Sequence, residues 1–237
     1  MVYGLNDLND VYADAVNDRK GNYLFGAKAS LSYLKKVPIR IGLYCLPFIV
    51  YFISVGGLEM ALVLLFMVIT NLVYNLKPIR LKERPPFEVF IQIGYVLVAI
   101  FSVLLNGLDM IPWQTLVYLS LFAFQAHIAG EIMDIEPDRK AGKKTTATLI
   151  GRKNTKYLMV FLLVTEVFLL SYWFQDYVLA GFLGCFIIWL LIDVFVVYKG
   201  KPYSLKEMNY FGILMNIVGL GSMLWILYAG KLLSLLS

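Results

Sequence analysis

Residues 110–126, MIPWQTLVYLSLFAFQA, lead without a break into residues 127–147, HIAGEIMDIEPDRKAGKKTTA. The first part is apolar over the length of a membrane-crossing helix. The second places Glu131, Asp134 and Asp138 at spacings of three and four, on one face of the same helix. An acidic run beside a membrane is ordinarily solvated surface. Here Pro137 and Gly142 limit how far the helix continues, which puts the stripe in its last turns, at the membrane boundary. Carboxylates held that close repel one another, and a cation relieves the repulsion.

The rest of the chain has the same character. Of its 237 residues 60% are hydrophobic, and the mean hydropathy is +0.73. Soluble domains hold roughly 45–50% apolar residues, so this composition belongs to a membrane protein. Apolar runs of spanning length fall near 38–55, 58–75, 88–106, 111–130, 157–174, 177–198 and 209–229. They are continuous and lack the two-residue alternation of a membrane β-barrel. The expected fold is all-α: a polytopic transmembrane helical bundle forming one membrane-embedded domain over 1–237, with seven complete spans.

Twenty of the 21 Lys and Arg residues lie in alternate loops or beside them, and only Lys231 lies on the other side. By the positive-inside rule the long charged loops are cytoplasmic. The chain is then an integral protein of the cell inner membrane. Its net charge of +5 reflects topology and attraction to anionic lipid headgroups, and nucleic acid is not expected as a partner. Cys45 and Cys185 both fall inside spans and read as packing residues, with no disulfide framework or thiolate metal site.

The acidic spacing recurs near the N-terminus, in NDLNDVYADAVNDRKG from Asn6 to Gly21. Asp7, Asp10 and Asp14 are again three and four apart, and the run Asp14, Asp18, Arg19, Lys20 echoes Asp134, Asp138, Arg139, Lys140. The echo suggests an internal duplication. Both stripes fall on the cytoplasmic side and are expected to meet over one cavity. Carboxylate oxygens of this kind suit Mg²⁺, which binds through a few of them, keeps several waters and is completed by substrate phosphates. A third element, NLVYNLKPIRLKERPP from Asn71 to Pro86, offers Arg80 and Lys82 as donors for a diphosphate, whereas Arg84 reads as an ordinary positive-inside residue.

Together these segments resemble the UbiA superfamily of intramembrane prenyltransferases. NDLNDVYAD fits that family's NDxxDxxxD motif without mismatch, DIEPD fits its second DxxxD motif, and YNLKPIRLKERP is similar to its YSxPPxRLKRRP loop. The resemblance implies nine helices around a central cavity, with Mg²⁺ at the two Asp motifs holding the diphosphate of a polyisoprenyl donor. Loss of diphosphate leaves an allylic cation that a lipid-soluble acceptor attacks: an aromatic quinone precursor, a carotenoid or a glycerolipid.

Carried over residue by residue, Asp10, Asp14, Asp134 and Asp138 are the catalytic acids. Asp7, Asp10, Asp14, Glu131, Asp134 and Asp138 are the metal ligands. Asn6, Tyr74, Arg80, Lys82 and Arg139 contact diphosphate. Because Met1 lies only five residues before Asn6, the first family helix and most of the second are expected to be missing, so that only the end of an eighth span precedes the seven. Glu131 stands where many members carry Asp, and NYLFGAKAS follows NDRKG in place of the family's RPxPSG-like segment.

Smaller signals follow. His127 shares a helical face with Glu131 and Asp134; it is a candidate for acid/base work, against the plainer reading of a satisfied core histidine. Its company with DIEPDRKAGKKTTAT is similar to the carotenoid-elongating branch of the superfamily. Glu166, in mid-span, is expected to face the bundle interior. Asp193 is expected to reach the interface near Lys199. A secondary transporter predicts acids near the bilayer midplane, whereas the six motif acids cluster by the cytoplasmic boundary. A catalytically inactive membrane scaffold is the remaining alternative.

Overall fold

In the computed structural model the described residues are 2–21, 26 and 28–232. Met1 and much of the NYLFGAKAS segment lie outside them. Nine α-helices order the described chain: α1 (Val2–Ala15), α2 (Leu31–Leu34), α3 (Val37–Asn75), α4 (Phe87–Phe90), α5 (Val96–Leu105), α6 (Trp113–Lys140), α7 (Thr146–Tyr172), α8 (Tyr177–Ile192) and α9 (Leu205–Ala229). Short 3₁₀ turns at Leu81–Glu83 and Ile91–Tyr95 and a π turn at Asp193–Val197 complete the order, with no β-strand among the described residues. Their contacts divide the chain into two compact units, Met1–Met110 with Pro137–Thr145 and Ile111–Glu136 with Thr146–Ser237.

The seven expected spans are all present. Two of them, 38–55 and 58–75, run together as α3, which breaks at Gly57. There the backbone takes φ 59°, ψ −146°, a conformation that glycine alone adopts without strain. The others fall within Phe87–Leu105, α6, α7, Tyr177–Val197 and α9, each long and apolar enough to cross a membrane. Large apolar side chains point outward along them, among them Leu43, Phe48, Phe161 and Leu224. On a soluble protein so much exposed apolar surface would drive aggregation; on spanning helices it meets lipid. Cys185 is exposed rather than packed, and Cys45 is half-buried.

Within the first unit α1 packs on α3, and α3 packs on α5. In the second, Tyr118, Leu170, Phe174, Leu179 and Leu232 form an apolar core joining α6, α7, α8 and the residues after α9. A polar clasp closes the same end. Asp176, 1% exposed, accepts from Leu179 N–H at 3.1 Å to cap α8, and Trp225 Nε1 donates to both of its oxygens at 3.1 Å. Lys231 Nζ donates to Gln175 O at 2.8 Å.

Asp193 does not reach toward an interface near Lys199. It is 1% exposed and pairs at 2.7 Å with Lys156, itself fully buried. The apolar run hides this partner, because Lys156 lies just outside the stretch that reads as a span. Glu166 is fully buried, as expected of a mid-span acid, and neither of its oxygens has a hydrogen-bond partner among the described residues.

Candidate functional site

The first acidic motif sits on α1, where spacings of three and four align Asp7, Asp10 and Asp14. The 3₁₀ turn Leu81–Glu83 brings Lys82 to this face. Its ammonium has three acceptors for three protons: Asp10 Oδ1 at 2.8 Å, Asn6 Oδ1 at 3.1 Å and Asn75 Oδ1 at 3.1 Å. Asn75 is held in turn by donating from Nδ2 to Asn71 O at 3.1 Å. Lys82 is 5% exposed and Asp10 6%, so their pairing is screened little by solvent.

Arg80 precedes this turn in a left-handed backbone conformation, φ 42°, ψ 61°. For a residue with a side chain that costs about 1 kcal/mol or more. Three contacts hold it: Nη2 lies 2.7 Å from Glu83 Oε1, 3.3 Å from Asn9 O and 3.5 Å from Asp10 Oδ1. Arg84, exposed, donates to Pro78 O and braces the loop, consistent with its reading outside the site.

Asp138, the last acid of the second motif, belongs to the same unit, at the C-terminus of α6. The helix runs through Pro137 to Lys140, and Gly142 then takes φ 72°. Gly142 N–H donates to Arg139 O at 3.1 Å and Lys143 N–H to Asp138 O at 2.9 Å, the paired bonds of a Schellman C-cap. This reversal lays Lys143 across the acids, 3.2 Å from Asp10 Oδ2 and 3.7 Å from Asp138 Oδ1. Asp138 and Asp10 are thus joined by one ammonium. A second lysine, Lys20, bridges Asp7 at 3.5 Å and Asp14 at 3.4 Å. The sequence echo between the motifs stops here, since α1 ends at Ala15 before Asp18 whereas Asp138 remains helical.

The charges respond to this packing. Burial pushes the Asp10 carboxyl up, but Lys143 and Lys82 outweigh it and hold Asp10 below the usual carboxylate range. Asp14 stands above that range because burial, reinforced by Asp10 and Asp7, outweighs Lys20. Burial alone would lower Lys143, yet Asp10, Asp138 and Asp14 raise it. Lys82 is lowered by burial despite Asp10.

The remaining expected residues are placed as follows. Tyr74 is half-buried in the last turn of α3, and Arg139 is exposed at the end of α6. Asp134, half-buried on α6, is counted with the second unit. Glu131 is engaged through Oε2 inside that unit. Oε2 accepts from Ala147 N–H at 2.9 Å, at the start of α7, and Oε1 lies 3.0 Å from His127 Nε2. A carboxylate at a helix N-terminus is favoured by the helix dipole, and this one fastens α6 to α7. Lys20, Asn75 and Lys143 are site residues outside the expected ligand sets. Lys20 carries a signal as the last residue of the echoed run, and Lys143 as the residue after Gly142 that follows the acidic helix.

Among the described residues no three acidic, His or Cys side chains converge on one point. Mg²⁺ does not need such convergence, because it binds through one or two carboxylates and completes its octahedron with water and phosphate oxygens. The donors here are all hard oxygens, and each of the two bridging ammoniums already occupies a cation's place between two carboxylates. The residues fit a divalent ion of this type.

A bundle of membrane helices whose boundary carries two acidic motifs and an Arg–Lys loop defines the class. The chain matches the UbiA prenyltransferase family over residues 1–218 and belongs to that family. It is 28% identical over 176 residues to a lycopene elongase/hydratase of Haloarcula japonica, covering 73% of this chain and 58% of that protein. It is 26% identical to the C(50) beta-cyclic carotenoids biosynthesis protein LbtBC of a Dietzia species, covering 71% and 40%. It is also 26% identical to a lycopene elongase/hydratase of Corynebacterium glutamicum, covering 72% and 60%. The chain therefore spans 40–60% of the length of these relatives.

Among solved structures, a UbiA homolog from Archaeoglobus fulgidus bound to DMAPP and Mg²⁺ superposes with a TM-score of 0.65 at 23% identity, over 99% of this chain and 83% of that one. The same homolog bound to GPP and Mg²⁺ gives 0.59 at 21%, over 98% and 82%. At these identities the likeness speaks for the fold.

Proposed function

We propose that this chain transfers a prenyl group from a prenyl diphosphate to a carotenoid-type polyene within the membrane, in a Mg²⁺-dependent reaction. The observation that carries the reading is the cluster in the first unit, where Asn6, Asp7, Asp10, Asp14 and Asp138 meet Lys20, Arg80, Lys82 and Lys143 at the end of spanning helices. Asp7, Asp10, Asp14 and Asp138 would hold the metal, which when bound would neutralise charge developing on the departing diphosphate. Asn6, Tyr74, Arg80, Lys82 and Arg139 orient the diphosphate.

In the reaction the allylic C–O bond of the donor breaks, a C–C bond forms to an acceptor alkene, and a proton leaves the acceptor. The apolar spans keep water from the cation meanwhile. Glu131 acts by fastening α6 to α7, and His127 is held ready beside it for proton transfer. The carotenoid class of acceptor is supported by the relatives' names, ahead of a quinone precursor or a glycerolipid.

The test uses the full chain in lipid nanodiscs with dimethylallyl, geranyl and longer diphosphates, and lycopene or a lipid extract as acceptor. Diphosphate release requires Mg²⁺ and stops with EDTA, and mass spectrometry finds the acceptor heavier by one prenyl unit. Asp138→Ala loses the product while its helical circular dichroism stays that of the wild type. Failure of every donor and extract, with the chain folded, would leave a scaffold as the better account.

The motif-bearing loops are cytoplasmic in this proposal, and the membrane is the cell inner membrane. With Cys45 and Cys185 replaced by Ser, cysteines at the exposed positions Asp18, Lys144 and Lys201 react with an impermeant maleimide only from the cytoplasmic face, and one at Leu108 only from the other. Labelling of Lys144→Cys from outside rules out this orientation.

A further inference from the structure

Within the second unit a cavity of about 290 Å³ is walled by Trp189, Tyr198, Tyr203, Met208, Phe211 and Leu214, with Met133 of α6 also lining it. The sequence builds it locally. Ser204 starts α9 with a capping box: its Oγ accepts from Glu207 N–H at 3.3 Å and its own N–H donates to Glu207 Oε2 at 2.6 Å. The one carboxylate on the cavity wall is thereby engaged. What the wall presents is aromatic and thioether surface.

The rings are fixed from behind. Tyr203 stacks on Phe211 with centroids 6.5 Å apart and meets Tyr198 edge-on at 4.7 Å. Its hydroxyl donates to Asp193, which Lys156 grips at 2.7 Å. Lys156 Nζ also lies 4.5 Å from the centroid of the Tyr203 ring. A fully buried ion pair is an expensive way to fill space, and hydrophobic residues of like volume serve stability as well or better. This pair does something hydrophobic residues cannot: it pins the hydroxyl and orientation of a ring in the cavity wall.

The same contact selects the ligand's charge. A cation resting on Tyr203 already draws on the ring's negative face, so the wall is poorly suited to a second cation. Lys156 is paired and lies behind the ring, so it offers nothing to a diphosphate. A neutral, flat, π-rich group is what remains. The volume lies at the small end of ligand cavities, roughly 300–1,000 Å³, enough for one end of a long hydrocarbon. No residue of α9 is buried, and its apolar side chains beyond Leu214, such as Ile217 and Leu220, lie exposed where the rest of such a chain would run. Met133 directly precedes Asp134, so the cavity and the second acidic motif are built on one turn of α6.

We infer that this cavity holds the terminal isoprenoid of a neutral polyene acceptor, with the buried Lys156–Asp193 pair locking Tyr203 as part of its wall. The inference rests on the prenyl-transfer reading for the acceptor's identity. Its binding test does not.

A polyene held in a chiral protein cavity acquires visible circular dichroism that it lacks in micelles. The full chain in detergent, titrated with lycopene and no donor, gives this induced signal. Leu214→Trp, at a half-exposed position that tolerates the ring, and Phe211→Ala each abolish it or weaken binding at least tenfold. Leu43→Trp, at an exposed position of α3 in the first unit, and Asp10→Asn retain it. In turnover Leu214→Trp raises the acceptor KM at least tenfold. Tyr203→Phe, which frees the ring from Asp193, raises it severalfold with kcat within about twofold.

No induced signal from the wild-type chain, or an undiminished one in Leu214→Trp, overturns the inference. A rise in donor KM instead of acceptor KM assigns the cavity to the donor's chain and also overturns it. An induced signal that behaves as stated, in a chain that never releases diphosphate, keeps the cavity and defeats the catalytic reading alone.

Discussion

Asp10→Asn lowers prenyl transfer at least a hundredfold. Asp10 is the acid on which the first unit's cations converge, with Lys82, Lys143 and Arg80 at 2.8, 3.2 and 3.5 Å. Replacing its carboxylate by an amide preserves shape and removes the charge, so three cations then face one another with a neutral group between them. Two losses follow. The divalent ion forfeits a ligand, and losing even an outer-shell partner of a metal site costs about 10–100-fold. The diphosphate also loses the arrangement of Lys82 and Arg80 that Asp10 holds in place.

The readout is diphosphate release and product mass at saturating donor and acceptor, with thermal melting of each variant alongside. Lys82→Met separates the two losses. It keeps the carboxylate for the metal while removing the clamp to Asn6 and Asn75, so it raises donor KM more than it lowers kcat. If Asp10→Asn retains a tenth or more of wild-type turnover, the first motif is not where the metal acts.

How much of this was legible in the sequence differs by element. The acids of α1 and α6 were legible because helical spacing converts directly into a shared face. The spans were legible because lipid demands long apolar runs. Gly57 shows where such reading stops short: the sequence marks a break between two spans, but only the backbone angles show how the break is made. Lys143 was half legible. Gly142 announces the helix end, yet that the reversal lays the next residue on Asp10 depends on a contact more than 130 residues away in the chain.

One acid was misread. Asp193 reads as a side chain reaching for water near a span end. It is 1% exposed and tied to Lys156. Hydropathy assigns a charged residue near a span end to the interface because solitary charges do sit there. It cannot register a partner supplied by another helix. Glu131 is a milder case. The spacing placed it with the metal ligands, whereas its carboxylate reaches the N–H of Ala147, at the start of the next helix.

The Lys156–Asp193 pair gives the largest expected effect on stability. Lys156 is fully buried and Asp193 nearly so. Lys156→Met leaves an uncompensated carboxylate among apolar groups, with one hydroxyl donor from Tyr203. Breaking a buried pair in this way costs about 3–5 kcal/mol, which for a chain of this size lowers the melting temperature by roughly 10 °C. Removing the remaining polar groups as well restores most of it. In Lys156→Met/Asp193→Leu/Tyr203→Phe no buried charge or hydroxyl is left unsatisfied, and the melting temperature in detergent returns to within a few degrees of the wild type. The triple variant is then a stable chain whose cavity wall has lost its anchored ring, and its acceptor KM stays high although its fold has recovered. A single variant as stable as the wild type would mean that the pair is solvated. A triple variant with wild-type acceptor KM would mean that the pair serves the fold alone.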